Sequence, residues 1–205
     1  MSKPTRFIIK LLVLALIVSA GYLLFVYEDR VVLPPGVKAP DEPVQVNIDP
    51  TLVYEDDDHR ITALAEFSLQ AKVLGRERYR FDTESALSPI DLALGWQRMS
   101  DQAVVDQIKV SQYGRWYSWR TDNLPIPFGD IERCSANMHM IPKSDRVRDA
   151  LLDVRTGEII AIEGYLVNIS AGDNWTWNTS MTRDDTGHGA CEIVWVESFE
   201  VIETR

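Results

Sequence analysis

The feature that most constrains this chain is an apolar run near its beginning, FIIKLLVLALIVSAGYLLFVY, which extends from Phe7 to Tyr27. The only charge in the run, Lys10, lies close enough to its start to reach the headgroups of a bilayer. As a helix the run would be about 31 Å long, and the hydrocarbon core of a bilayer is roughly 30 Å thick. The run therefore predicts a transmembrane helix over residues 7–27, with the lipid bilayer as its first partner.

The residues on either side of the run predict its orientation. Basic residues precede it and two acids, Glu28 and Asp29, follow it, and basic flanks favour the cytoplasmic side. Residues 1–6 are then cytoplasmic, and the rest is the periplasmic body of a single-pass protein of the bacterial inner membrane. The alternative is a cleaved signal peptide ending at the Val-Ser-Ala sequence 18–20. The apolar run continues past that site, which favours a retained anchor.

The segment after the anchor, residues 28–59, is rich in proline and ends on the acidic run EDDD at 55–58. Such a composition is typical of an extended segment, which in polyproline geometry reaches at most about 90 Å. The sequence predicts a stalk here, although part of it could instead lie along the domain. A single folded domain is expected at residues 60–205.

The body of the protein is acidic. The formal net charge is −10, and the three basic residues before Tyr27 leave 18 basic and 31 acidic residues, or −13, on the remainder. Phosphate backbones bind clustered Lys and Arg, so this balance argues against nucleic acid as a partner.

Three serines are in positions typical of helix N-caps. Ser88 precedes Pro89 and the sequence IDLALGW, Ser100 precedes DQAVVDQI, and Ser144 precedes DRVRDALLDV. Each predicts a short helix, and the third should end near Arg155, where RTG at 155–157 supplies a basic residue and a turn glycine.

The C-terminal half of the chain has the pattern of strands. Residues 158–170 alternate and are rich in branched and aromatic residues, with Gly164 as an expected bulge, and a turn at 171–174 and a last strand ending near Glu203 follow. Residues 61–79 fit a strand from Phe67 onward, or alternatively a helix. The predicted fold class is α+β with an antiparallel C-terminal sheet, which loosely resembles a small curled barrel such as the OB-fold.

Four stretches of the domain carry a family resemblance. On them the chain resembles an uncharacterised bacterial family of small, single-span membrane-anchored proteins. The resemblance supports the single span and the extracytoplasmic domain, includes the neighbourhoods of His139 and Cys191, and implies no catalytic role. The stretches are SPIDLALGWQRMSD at 88–101, SANMHMIP at 135–142, EGYLVNI at 163–169 and RDDTGHGACEIVWVE at 183–197.

The loop TRDDTGHGACE at 182–192 holds most of the candidate catalytic residues, which are Asp184, Asp185, His188 and Cys191, with His139 as a candidate base from elsewhere. Its DTG tripeptide occurs in aspartic proteases, where an apolar strand precedes it, and the polar residues here exclude that interpretation. A thiol nucleophile would need a base within hydrogen-bond reach of Cys191. A zinc site would use the same His, Cys and Asp side chains, but no spacing typical of zinc ligands is present. The simplest interpretation is a turn, because Asp, Thr and Gly favour turns by their own backbone chemistry.

Cys134 and Cys191 are the only cysteines, and in an oxidising compartment a disulfide between them is the simple expectation. It would stabilise the domain by about 4 kcal/mol, and two buried thiols are the alternative. A further cluster, YGRWYSW at 113–119, alternates as a strand and predicts either core packing or an aromatic binding platform.

Taken together, the sequence predicts a membrane-anchored extracytoplasmic binding or assembly module with a membrane or periplasmic protein as its partner, and no cofactor is expected. The alternative is an extracytoplasmic hydrolase or metal-binding enzyme that uses His139 with the loop at 184–192.

Overall fold

The computed structural model describes residues 3–28, 30–56, 58–172, 175–182 and 191–204. It is a mixed α+β structure with a large, mostly antiparallel sheet and few helices, as the sequence predicts. The helices are α1 (Lys3–Glu28), α2 (Gln102–Val105), α3 (Phe128–Arg133) and α4 (Asp145–Asp153). The strands are β1 (Val44–Glu55), β2 (His59–Arg78), β3 (Ile90–Gly95), β4 (Lys109–Tyr113), β5 (Trp116–Arg120), β6 (Ser135–Pro142), β7 (Ile159–Ala171), β8 (Trp175–Trp177) and β9 (Glu192–Glu203).

Five of these strands form a closed circuit of pairings. β2 pairs with β3 and with β7, β3 continues to β6, and β9 joins β6 to β7. All these pairs are antiparallel except β6 with β9, which is parallel. β1 and β8 add to β2 and β7, and β4 and β5 form a separate two-stranded hairpin. In chain order the five strands follow one another around the circuit as first, second, third, fifth and fourth.

The interior of the circuit is the main hydrophobic core. Alternate residues of each strand point inward, and Leu92, Met138 and Val194 are among those that are fully buried there. The opposite face of β6 carries Asn137 and His139 instead, which is the alternation that a strand imposes on its side chains. Truncating a buried Leu such as Leu92 to Ala would cost about 2–5 kcal/mol.

The strand predicted at 158–170 is confirmed as β7, including the bulge at Gly164. The register of β7 against β9 shifts between Glu163 and Gly164. A Cβ atom at Gly164 would lie 1.9 Å from the carbonyl oxygen of Trp195, so only glycine allows the two strands to approach this closely. The last strand is also confirmed, as β9, and residues 61–78 are strand rather than helix.

The first predicted helix is wrong, because IDLALG forms strand β3. All six of its residues are buried, since β3 lies in the middle of the sheet between β2 and β6. A strand covered on both faces loses the polar alternation that would identify it, and its sequence then resembles a buried helix.

The other two predicted helices are present. Ser144 caps α4 by accepting a hydrogen bond from the N–H of Val147. α2 begins one residue later than predicted, and its cap is Asp101. Ser100 is buried instead and accepts hydrogen bonds from the N–H groups of Lys38 and Ala39.

The predicted stalk at 28–59 does not extend away from the domain. Leu33 and Ala39 are buried against the domain, and the N–H of Val31 donates to the carbonyl of Thr156 at 2.8 Å. Residues 44–55 then form β1, which pairs with the first half of β2. The folded unit therefore begins at about residue 30, because apolar residues next to the prolines pack against the domain and are buried there.

The predicted transmembrane segment falls within α1. Among the residues that the structure describes, no helix has both the length and the apolar character of a membrane span.

Candidate functional site

A cavity of about 570 Å³ opens beside the β4–β5 hairpin, and we call it the hairpin cavity. One wall is β5 with the segment that follows it, and the opposite wall consists of residues 135–137 at the start of β6 and the first residue of β9, Glu192. α3 closes one end. A volume of this size is within the range of small-molecule and peptide sites.

Aromatic rings supply most of the apolar lining of the hairpin cavity. Trp119 and Phe128 are in contact, with ring centroids 5.2 Å apart, and Trp116 at the rim is 43% exposed. Tyr117 joins the two walls, because its hydroxyl lies 2.7 Å from that of Ser135. Burial raises the pKa of Tyr117 to about 12, so its hydroxyl stays protonated at neutral pH.

The described lining of the cavity has equal numbers of basic and acidic side chains. Arg120 and Arg133 line it together with Glu132 and Glu192, and Arg133 already pairs with Asp130 on α3 at 2.8 Å. The described part of the lining therefore has no net charge, and a strongly anionic or cationic ligand would find no excess of opposite charge in it.

The main chain of β5 has one edge that pairs with no other strand among the described residues. The hairpin turns through Gly114 and Arg115, which both have positive φ, so the flanking pair Tyr113 and Trp116 is a hydrogen-bonded one. Hydrogen-bonded and non-hydrogen-bonded pairs alternate along an antiparallel hairpin, so Tyr117 and Trp119 are in non-hydrogen-bonded pairs. Their N–H and C=O groups therefore point away from β4. No hydrogen bond among the described residues uses those main-chain groups.

On its other side, the tip of the same hairpin closes a buried ion-pair cluster. Arg115 makes a two-pronged contact with Asp82, both distances being 2.9 Å, and a third contact with Asp91 at 2.8 Å. Its guanidinium carbon lies 3.7 Å above the ring centroid of Tyr79. Burial lowers the pKa of Arg115, but the bonds and charges of both carboxylates outweigh burial and raise it. Arg115 is therefore a permanent cation holding two acids together.

His139 belongs to this ion-pair cluster and not to the open cavity. Its Nδ1 lies 2.9 Å from Oδ1 of Asp91, although the two atoms are not aligned as a hydrogen bond. Its ring packs on Trp177 of β8 with centroids 4.8 Å apart, and the residue is 4% exposed. A general base must reach the proton that it abstracts, and in this arrangement Trp177 and Asp91 occupy the surroundings of the ring.

The predicted site residues therefore separate. His139 is buried in the ion-pair cluster, and Cys191 lies on the wall of the hairpin cavity, next to Glu192. Asp184, Asp185 and His188 lie outside the described residues. Within the described part of the chain, no group of three or more His, Cys, Asp or Glu side chains is placed to hold a metal ion.

The predicted disulfide is absent, because Cys134 and Cys191 are not bonded to each other. Cys134 is buried, and its Sγ lies 3.2 Å from Oε1 of Gln97, to which it donates. Burial raises the pKa of its thiol, which makes the thiolate scarce at neutral pH.

Sequence reasoning found part of this site. The alternation of YGRWYSW predicts one strand, used either for core packing or as an aromatic platform; the structure turns at Gly114 and Arg115 instead, and three of the four aromatic residues, Trp116, Tyr117 and Trp119, line the hairpin cavity. It did not find the role of Arg115, whose partners are 24 and 33 residues distant in the chain. Nor did it predict an open strand edge, because the absence of a neighbouring strand has no local signal.

Comparison with protein-family models, with curated proteins and with solved structures finds no match to this chain.

Proposed function

We propose that the protein is a single-pass, membrane-anchored extracytoplasmic binding module and that the hairpin cavity is its ligand site. The observation that carries the proposal is the cavity itself. It combines contacting aromatic rings, balanced charges and open main-chain groups in one concave surface, and ligand sites are typically apolar clefts with a few convergent polar groups.

The topology supports this location. We infer that the circuit of five strands closes as a small barrel of the OB type, in which the third and fifth strands are parallel neighbours. In that type of barrel the face of the second and third strands, with the loops beside them, binds ligands. Here β3 and β6 are the second and third strands, and the β4–β5 hairpin is inserted between them. Because a fold alone does not assign a function, the cavity and not the barrel carries the proposal.

The anchor is part of the proposal. α1 is helical over the whole of the apolar run, and residues 8–21 are all exposed although most of them are apolar. The charges around the run favour a cytoplasmic N-terminus and a periplasmic domain in the bacterial inner membrane. Reporter enzymes fused after Arg205 test this topology. A periplasm-dependent reporter should be active and a cytosol-dependent one silent, and the reverse result would overturn the localisation.

The hydrolase alternative has less support. It relies on His139 as a base, and that ring is buried between Asp91 and Trp177. The same Asp91 is bonded to Arg115, so the carboxylate that would orient the base has a second, cationic partner.

Site-specific photocrosslinking in intact membranes tests the binding module directly. The photoreactive p-benzoylphenylalanine replaces Phe128, which lines the cavity, and separately replaces Phe81, a 98% exposed residue that does not line it. The full-length protein should form a discrete adduct from position 128 and none in common with position 81. The same adducts from both positions, or none from position 128, would overturn the proposal.

A further inference from the structure

We propose that the hairpin cavity receives an extended segment of another polypeptide, which adds to the edge of β5 as a new strand. This inference rests on the proposed function and names the class of ligand that the cavity binds.

The spacing of the open main-chain groups carries the inference. The N–H and C=O groups of Tyr117 and Trp119 point away from β4, two residues apart along one strand, and an added strand needs this spacing to form a ladder. Six consecutive residues, 116–121, line the cavity. Side chains of one strand alternate between two faces, so a run without gaps indicates that the strand meets the cavity with its backbone edge.

Within the described part of the chain, the absence of a protective feature on this edge is also informative. Natural proteins usually protect an edge strand with proline, a bulge, a covering element or an inward-pointing charge. β5 has no proline, its register against β4 is continuous, and its inward-pointing residues are Tyr117 and Trp119. An open, aromatic edge inside a cavity is the arrangement used by domains that recognise peptides through strand addition.

The lining defines the chemistry of the segment. Trp119, Phe128 and Trp116 favour apolar side chains at alternate positions of the added strand. Two arginines and two glutamates in the lining favour a segment with little net charge. A saccharide would also stack on the rings, but it has no alternating N–H and C=O groups with which to use the open edge of β5.

The test begins with selection of a peptide. A phage-displayed library of random peptides of about ten residues, long enough for one strand, is selected on the full-length protein in lipid nanodiscs. Phage retained by empty nanodiscs, or by nanodiscs that hold the Phe128→Ala variant of the cavity lining, are discarded. The best peptide is then synthesised with an N-methyl group at each backbone position in turn, which removes one N–H donor and leaves every side chain in place.

Strand addition predicts a pattern that repeats every second residue. N-methylation should weaken binding about tenfold where the peptide N–H faces β5 and much less at the positions between, because alternate residues of a strand face opposite edges. Equal effects at neighbouring positions, or no effect anywhere, would overturn strand addition.

A pair of variants tests the same hydrogen bonds on the protein. Trp119→Ala removes the ring and keeps the main-chain N–H, whereas Trp119→Pro removes both, and proline is tolerated where an edge strand turns its N–H outward. We expect the proline variant to bind the selected peptide about tenfold more weakly than the alanine variant. Equal binding would contradict the inference. If the proline variant does not fold, the N-methyl series decides alone.

The outcomes separate this inference from the proposed function. If no peptide is selected but position 128 forms its crosslink, the cavity binds another class of ligand and only strand addition fails. If neither a peptide nor a crosslink is obtained, both proposals fail.

Discussion

The two sides of the β4–β5 hairpin differ in how far their polar groups are satisfied. At the tip, Arg115 binds two carboxylates and stacks on Tyr79, and Asp91 is completely buried beneath it. Along the edge, the main-chain groups of Tyr117 and Trp119 point away from β4 and have no hydrogen-bond partner among the described residues. Buried charges require partners, whereas groups that face solvent do not. The tip is therefore a fixed structural element, and the edge is the surface that remains able to bind.

The residue types in these two regions do not by themselves indicate where a ligand binds. The ion-pair cluster holds residue types that catalysis commonly uses, and there they contact one another: Asp82, Asp91, Arg115 and His139. The cavity is lined by aromatic rings, hydroxyls and balanced charges. In this protein a cluster of titratable groups indicates how the hairpin is attached to the main sheet, and the hairpin cavity lies beside it.

The largest expected effect comes from removing the cation at the tip. Arg115→Met should lower the free energy of unfolding by about 3–5 kcal/mol, because it leaves Asp91 buried without its cationic partner. Urea denaturation of the full-length protein in mild detergent measures this change. Arg120→Met, on the exposed face of the same hairpin, should change stability by about 0.5 kcal/mol or less. Similar losses in the two variants would contradict the comparison.

Removing an aromatic ring from the edge should reduce peptide binding strongly and stability only slightly. Trp119→Ala is expected to weaken peptide binding more than tenfold, which is about 1.4 kcal/mol or more, while the half-buried ring contributes only about 1–2 kcal/mol to stability. Fluorescence titration with the selected peptide and urea denaturation give the two values. Tyr113→Ala, which removes an 88% exposed ring at the tip, is the matched control and should leave affinity unchanged. Loss of affinity in the control would show that the binding surface is not the cavity.

Asp82, a carboxylate of the ion-pair cluster, should make the stability of the protein depend on pH. Burial raises the pKa of Asp82, but the hydrogen bonds and charge of Arg115 outweigh it and hold the pKa below its ordinary value. A carboxylate with a depressed folded pKa stabilises the fold above its unfolded pKa of about 3.9, and this contribution disappears as pH falls through the lower folded pKa. Wild type should therefore exceed Asp82→Asn by about 1 kcal/mol or less at neutral pH, because the side chain is 31% exposed, and the difference should vanish in acid.

Thermal denaturation from pH 7 to pH 2 measures the two stability curves. In an Arg115→Met background, Asp82→Asn should change stability less at neutral pH than it does in wild type, since the cation that lowers the pKa of Asp82 is gone. A difference that grows in acid would contradict the sign of the shift.

The smallest expected effect concerns the cysteines. Both should react with iodoacetamide without prior reduction, because the structure does not join them, and Cys191 should react faster than the 7% exposed Cys134. The selected peptide should slow the reaction of Cys191, which lines the cavity, and leave Cys134 unaffected. Mass spectrometry of the alkylated protein measures both rates. Reaction only after reduction would restore the disulfide prediction.

Local signals account for the elements that the sequence predicted correctly. Ser144 caps α4 through its own side chain, and the sequences of β7 and β9 are rich in the branched and aromatic residues that favour strands, so these predictions do not depend on knowing what lies nearby. Gly164 is recognisable as a bulge because glycine inside a strand pattern usually marks a close approach of two backbones.

Tertiary context explains the errors. The sequence of β3 resembles a helix because the strand is buried on both faces, and that burial comes from β2 and β6, which are distant in sequence. The sequence of β1 resembles a stalk because of its proline, and Pro50 is tolerated since β1 is an edge strand whose register shifts between Asn47 and Thr51. The candidate site is predicted only as an aromatic strand, because the cavity also needs β6 and α3.

The attachment of residues 30–39 to the domain limits where a binding partner can be. Only Asp29 separates the end of α1 from Arg30, which contacts Asp106 of the domain. Two residues of chain reach about 7 Å at most. If α1 lies in the bilayer, as we propose, so short a tether holds the domain at the lipid surface, and a ligand has to reach that surface to bind.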